Sequence, residues 1–338
     1  MAMGAAFILA GLAGLLAAGA DGPLALSGDV APVHDPVVLK DNGRFHLFNT
    51  SHLGDGPGLI AWRTSPDLRR WSANGAVFQD LPEWARDYVP GTRGLWAPDV
   101  IAAEDEVRVY YSVSTFGKNR SAIGLVTTPT LDESDPGFGW TDRGMVYASD
   151  AEDDFNAIDP NILIDGEGRH WMSFGSFWTG LKIIELDPAT GKPLEGAELI
   201  AIAKRHAETD EEAPIDAPNA IEAPFIVAHE GDYYLFASRG FCCRGEDSTY
   251  NVVVGRAEAP TGPYLDRQGI PMTMGGGTQV LSAADEGGRF AGPGHNAVLQ
   301  RPSGDYILYH AYDTEAGGRP TLRIRPLSWG QDGWPSID

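Results

Sequence analysis

The chain has little cysteine, little positive charge and, past its N-terminus, no long apolar run. Of its 338 residues two are cysteine, and those two, Cys242 and Cys243, are neighbours. No bridge within the chain can therefore close a long loop, and a tetrahedral cysteine-rich zinc site is ruled out. Stability has to come from packing. In an oxidising compartment the pair can form a vicinal disulfide, and otherwise it can sit as two small buried thiols; the sequence leaves both open. Lys and Arg number 25 against 47 Asp and Glu, for a formal net charge of −22. A field of that sign repels phosphate backbones and anionic headgroups, which makes nucleic acid a poor partner. Past residue 20 no segment approaches the ~20 apolar residues of a membrane span, so no membrane insertion is expected after processing.

The residues present are 43% hydrophobic, too apolar for a disordered chain, with 42 Gly and 24 Pro. Turn formers in that number point to short strands joined by many turns, hence an all-β fold. Met1 to Ala20 carry no charged side chain, and the apolar run Ala5 to Leu16 is followed by Ala18-Gly19-Ala20. That pattern reads as a signal peptide over residues 1–20, with export to the periplasm or the exterior and a mature chain of 21–338.

A repeat organises the remainder. Five segments share an acidic or His residue, often Pro, an apolar run, a Gly-containing turn and an aromatic-rich strand. They begin at Asp35-Pro36, Ala97-Pro98, Asp159-Pro160, Glu222-Ala223-Pro224 and His295-Asn296. Aligned on the apolar run, the leading column reads Asp35, Ala97, Asp159, Glu222, His295, at intervals of 62, 62, 63 and 73 residues. Hairpin turn signals such as Asp41-Asn42-Gly43 and Glu230-Gly231-Asp232 fit a four-stranded antiparallel blade per repeat. The expected fold is a single five-bladed β-propeller over 21–338, expected to act as a monomer.

In a propeller the inner strand of every blade lines the axis, so equivalent positions converge on one hollow. The column then gathers two Asp, one Glu and one His. Carboxylates crowded into one desolvated site push their pKa values apart, leaving one proton donor and one base. Hydrolysis of a glycosidic bond with inversion needs such a pair, with carboxyls roughly 6.5–9.5 Å apart. Asp99, two positions past the column, is expected as a solvated strand-end residue that does not face the hollow. Trp96, beside Ala97 where the polar ring is interrupted, is the preferred platform for the apolar face of a sugar.

Seven segments in order, from His34-Asp35-Pro36 through Leu95-Trp96-Ala97-Pro98-Asp99, Asn156-Ala157-Ile158-Asp159-Pro160-Asn161, Gly175-Ser176-Phe177-Trp178-Thr179-Gly180, Ile221-Glu222-Ala223-Pro224 and Phe241-Cys242-Cys243-Arg244-Gly245 to Gly292-Pro293-Gly294-His295-Asn296, resemble the arabinanases of glycoside hydrolase family 43. The resemblance implies a five-bladed propeller that cuts α-1,5-linked L-arabinofuranose chains with inversion. It makes Asp35 the general base, Glu222 the general acid, and Asp159 the residue that orients and tunes the acid. It places His295 near a central metal ion, commonly calcium, contacted through water. Trp96 and Phe116 correspond to stacking residues, and Asn156, Ser176 and Trp178 are candidate substrate contacts from the same motifs. Two departures stand out: Ser238-Arg239-Gly240-Phe241 before the cysteine pair, implying an altered subsite contact, and an acidic loop from His206 to Asn219, readable as a lid or as a solvated loop. The rival functions are an exo-acting arabinofuranosidase or xylosidase of the same family and a sugar-binding propeller without turnover.

Overall fold

A computed structural model describes residues 22–206 and 219–337 of the protein. The signal segment read at 1–20 and most of the acidic loop lie outside the described residues. The described strands form five sheets, in each of which the strand that opens the repeat pairs with the next as an antiparallel hairpin; Ser27–Gly28 adds to the far edge of the first sheet and Ser51–His52 to the opening strand of the second. The inner strands are Val37–Asp41, Gly94–Ala102, Asn161–Ile164, Ile221–His229 and Phe290–Leu299, one per expected repeat. Two expected turns are two-residue hairpins between paired residues Asp41 and Arg44, and His229 and Asp232. Both central residues of each are left-handed: Asn42 and Gly43 at φ 44° and 78°, Glu230 and Gly231 at 50° and 95°. This is the turn whose twist matches the strands it joins.

Apolar burial is divided into five clusters, one between each pair of neighbouring blades. Phe48 and Trp62 of blade one meet Leu95 and Val109 of blade two, and equivalent sets join two to three, three to four and four to five. The ring closes without a shared sheet. Leu24 and Val33 pack with Leu47 of blade one and Leu308 and Ile324 of blade five. The same N-terminal segment exchanges backbone hydrogen bonds with blade five: Leu24 to Ile324, Val33 to Pro320 and Leu322 to Val30.

At the start of every inner strand one residue turns left-handed: Asp35 (φ 55°), Ala97 (43°), Asp159 (58°), Ala223 (56°) and His295 (48°). Each points its backbone N–H at a side chain of the preceding blade. Asp35 donates to His310, Ala97 to Thr50, Asp159 to Ser112, Ala223 to Asp159 and His295 to Ser238, at 2.7–3.3 Å. The kink frees one buried N–H per blade, and the neighbour satisfies it.

This ring corrects the expected column at one place. In blade four the kinked residue is Ala223, and Glu222 precedes it. The Pro that follows the kink marks the register in four blades, whereas the acidic side chain does not. Glu222 therefore shares its position with His34, Trp96, Ile158 and Gly294.

Candidate active site

Asp35, Asp159 and Glu222 are all buried, at 8%, 6% and 8% exposure, and close enough to act on one another electrostatically. Residues some sixty apart in sequence are thus brought together. Their surroundings differ in kind.

Around Asp35 the neighbours favour the carboxylate. Burial opposes ionisation, but His295, His34 and His310 together outweigh it, and the carboxyl lies well below its ordinary range. His34 Nδ1 is 3.0 Å and His295 Nδ1 3.1 Å from Oδ1, while the Thr50 hydroxyl donates to Oδ2 at 2.5 Å. Burial holds His295 and His310 below the usual imidazole range, so near neutrality they act as dipoles. His310 Nδ1 accepts the Asp35 N–H at 3.1 Å, which places the proton of the neutral ring on Nε2, a buried atom without a partner among the described residues.

Around Glu222 and Asp159 the balance is reversed. Burial raises Glu222, and Asp35 adds to this, although hydroxyls of Ser176 and Tyr250 donate to its two oxygens and oppose the rise. The Ser176 bond to Oε2 is 2.6 Å. Burial raises Asp159 well above the carboxylate range, with the charges of Glu222 and Asp35 next. Protons are thus held more tightly by this pair than by Asp35, whose carboxyl lies well below its ordinary range.

Trp96 is half-buried beside His52, with ring centres 6.2 Å apart and a buried indole N–H that lacks a partner. Phe116 stands 80% exposed and Trp178 38% exposed. Asn156 is buried with its side-chain oxygen unpartnered. Ser176 is placed against the acid itself.

A family model, Glycosyl hydrolases family 43, matches residues 30–335. The chain belongs to that family. This glycoside hydrolase is 40% identical to the extracellular exo-α-(1→5)-L-arabinofuranosidase of Cellvibrio japonicus, over 93% of this chain and 89% of that protein. It is 37% identical to the extracellular endo-α-(1→5)-L-arabinanase 1 of Bacillus subtilis, over 90% of this chain and 87% of the relative. Among solved structures it superposes on the Cellvibrio cellulosa α-L-arabinanase complexed with arabinohexaose with a TM-score of 0.82 at 40% identity, covering 91% of this chain and 96% of the other.

One other expectation is corrected. Asp99 is buried, not solvated: its Oδ2 accepts the Ile162 N–H at 2.5 Å and the Asn161 amide at 3.2 Å, stapling blade two to blade three. Burial pushes it up to about 7 against those hydrogen bonds. Arg239, in the segment that departs from the family's pattern, is buried and donates to the carbonyls of Gly275 and Gly276, so it anchors a loop of its own blade. Tyr250, Thr50, His310 and Tyr312 are missed by the sequence reading. They come from later strands and connections of their blades, where an aromatic or a hydroxyl reads as ordinary packing. His34 stands next to Asp35 in the first motif, where the sequence alone gives it no contact with the carboxylate.

The donor set decides how calcium can fit. Calcium takes 6–8 oxygens, and the described groups that converge most closely are His34, Asp35 and His310, with one potential ligand atom each within 4.8 Å. One carboxylate among imidazoles is no calcium cage. Unpartnered polar atoms of Asn296 and His310 suit ordered water, and of these the Asn296 side-chain oxygen can accept from water on a hydrated ion.

Proposed function

We propose that the protein is an exported, monomeric endo-1,5-α-L-arabinanase that inverts configuration. The observation that carries this reading is the meeting of buried Asp35, held by the imidazoles of His34 and His295, with buried Glu222, held by the hydroxyls of Ser176 and Tyr250. Glu222 gives its proton to the glycosidic oxygen as the bond to the anomeric carbon breaks. Asp35 takes a proton from water, whose oxygen attacks that carbon from the other side. Asp159, hydrogen-bonded to the N–H of Ala223, holds the peptide beside Glu222 and adds its carboxyl to the proton-holding pair. Trp96, Phe116, Asn156 and Trp178 supply stacking faces and polar contacts to the sugar, and Ser176 orients the acid. The substrate class follows the names of the relatives, and export follows the residue 1–20 pattern and the extracellular relatives.

On linear arabinan the endo reading predicts a ladder of oligosaccharides from the earliest time points. Release of single arabinose units alone supports the exo reading, which the Cellvibrio japonicus relative favours. Glu222→Gln and Asp35→Asn each remove turnover in this account, and near wild-type rates in either defeat it. Calcium, where present, would be held through water at His295 and would add positive charge near Asp35. Activity that falls on chelation and returns with added calcium is the expected result; activity indifferent to chelator removes calcium from the account.

A further inference from the structure

We propose that Tyr312 and the Cys242–Cys243 disulfide are positioning elements for the general base, acting on Asp35 through His34. The inference rests on the reading of Asp35 as that base. The two cysteines are bonded to one another in the structure. A bridge between neighbours closes no loop, so it removes little freedom from the unfolded chain and contributes little to stability by that route. Its effect is local. The ring it makes contains one peptide group, the Cys242–Cys243 amide, and holds that amide in one orientation.

That amide is the first link of a continuous chain to the catalytic hollow. The Cys243 N–H donates to the Tyr312 hydroxyl at 2.7 Å. The same hydroxyl lies 2.7 Å from His34 Nε2, and His34 Nδ1 lies 3.0 Å from Asp35 Oδ1. Whether His34 is neutral or protonated, its Nδ1–H faces the carboxylate; only the direction of the Tyr312 bond changes. The His34 ring stacks on His310 at 3.9 Å, which leaves it little freedom to turn. Cys243 sits at φ 65°, a conformation disfavoured for a residue with a Cβ. Its exposed sulfur is 3.9 Å from His34 Nε2, so a free thiol at that place would compete with Tyr312 for the same nitrogen.

The test compares full-length Tyr312→Phe, Cys242→Ser/Cys243→Ser and the triple variant, with Asp35→Asn as control, each checked for folding by circular dichroism. We expect kcat to fall about tenfold in Tyr312→Phe and in the cysteine variant, with KM changed by less than about twofold. The triple variant is expected to match Tyr312→Phe within about twofold, because both changes cut one chain. Near wild-type kcat in Tyr312→Phe beside an inactive Asp35→Asn overturns the positioning role and leaves the base intact. An active Asp35→Asn overturns the base itself. A rise confined to KM, or losses that multiply in the triple variant, assigns the pair to the substrate wall and also overturns the proposal. Should the cysteine variant fail to fold, Tyr312→Phe decides alone.

Discussion

In the proposed mechanism two carboxyls of nearly equal intrinsic acidity become a base and an acid because imidazoles outweigh burial at Asp35, whereas burial and the charge of Asp35 raise Glu222 against the hydroxyls of Ser176 and Tyr250. The pH dependence of kcat/KM follows with a definite sign. Activity falls on the acid side only where Asp35 takes up a proton, below the ordinary carboxylate range, and on the alkaline side where the Asp159–Glu222 pair loses its proton, above that range. Tyr250→Phe removes a donor that favours the ionised form of Glu222, so it is expected to move the alkaline limb to higher pH and lower kcat by about tenfold. An unmoved alkaline limb, measured over the same buffers, rejects that role for Tyr250. Asp35, Asp159 and Glu222 were legible in the sequence because they sit at repeat starts, where a polar residue before an apolar strand needs a reason. Tyr250 and His310 were not, since an aromatic in or beside a strand is what core packing also requires.

At the scale of the strand, the left-handed kink explains both what the repeat revealed and where it misled. Pro after the kink made the period visible in four of the five blades, and alignment on the apolar run set blade four one residue early, at Glu222 in place of Ala223. A kink frees an N–H that a neighbouring blade must receive, and the receivers Thr50, Ser112, Ser238 and His310 each stand 15 residues past the kink of their own blade, a spacing that shows once blade four is aligned on Ala223. Ser112→Ala leaves the Asp159 N–H buried and unpaired, with an expected loss of about 1–3 kcal/mol in urea unfolding. A loss within error shows that water or a shifted backbone replaces the hydroxyl. Asp99 belongs to the same stapling between blades. Its folded value of about 7 lies above the unfolded carboxylate value, so the native state holds an extra proton between about pH 4 and 7. Its share of stability is full below that window and is lost as pH rises through it. Asp99→Asn, which keeps an acceptor and removes the charge, is expected to flatten the fall in melting temperature from pH 4 to 8; an unchanged slope contradicts the assignment.

On the scale of the whole ring, blade count and apolar face were readable from period and turn chemistry, while the way the ring closes was not. Closure uses an irregular segment before the first repeat, whose Leu24 and Val33 read as isolated apolar residues until blade five is seen against them. Removing residues 22–32 is expected to lower the melting temperature and broaden the transition, because the contact between blades one and five loses its clasp; an unchanged melting curve shows that the remaining packing suffices. Closure matters for chemistry, since it brings His295 and His310 of the last blade onto Asp35 of the first. The central claim is that the ring sets a base and an acid on opposite sides of one anomeric carbon. Proton NMR of the first products released from an α-1,5-linked arabino-oligosaccharide tests it most directly: the account predicts the β-anomer of the new reducing end first, and initial release of the α-anomer contradicts it.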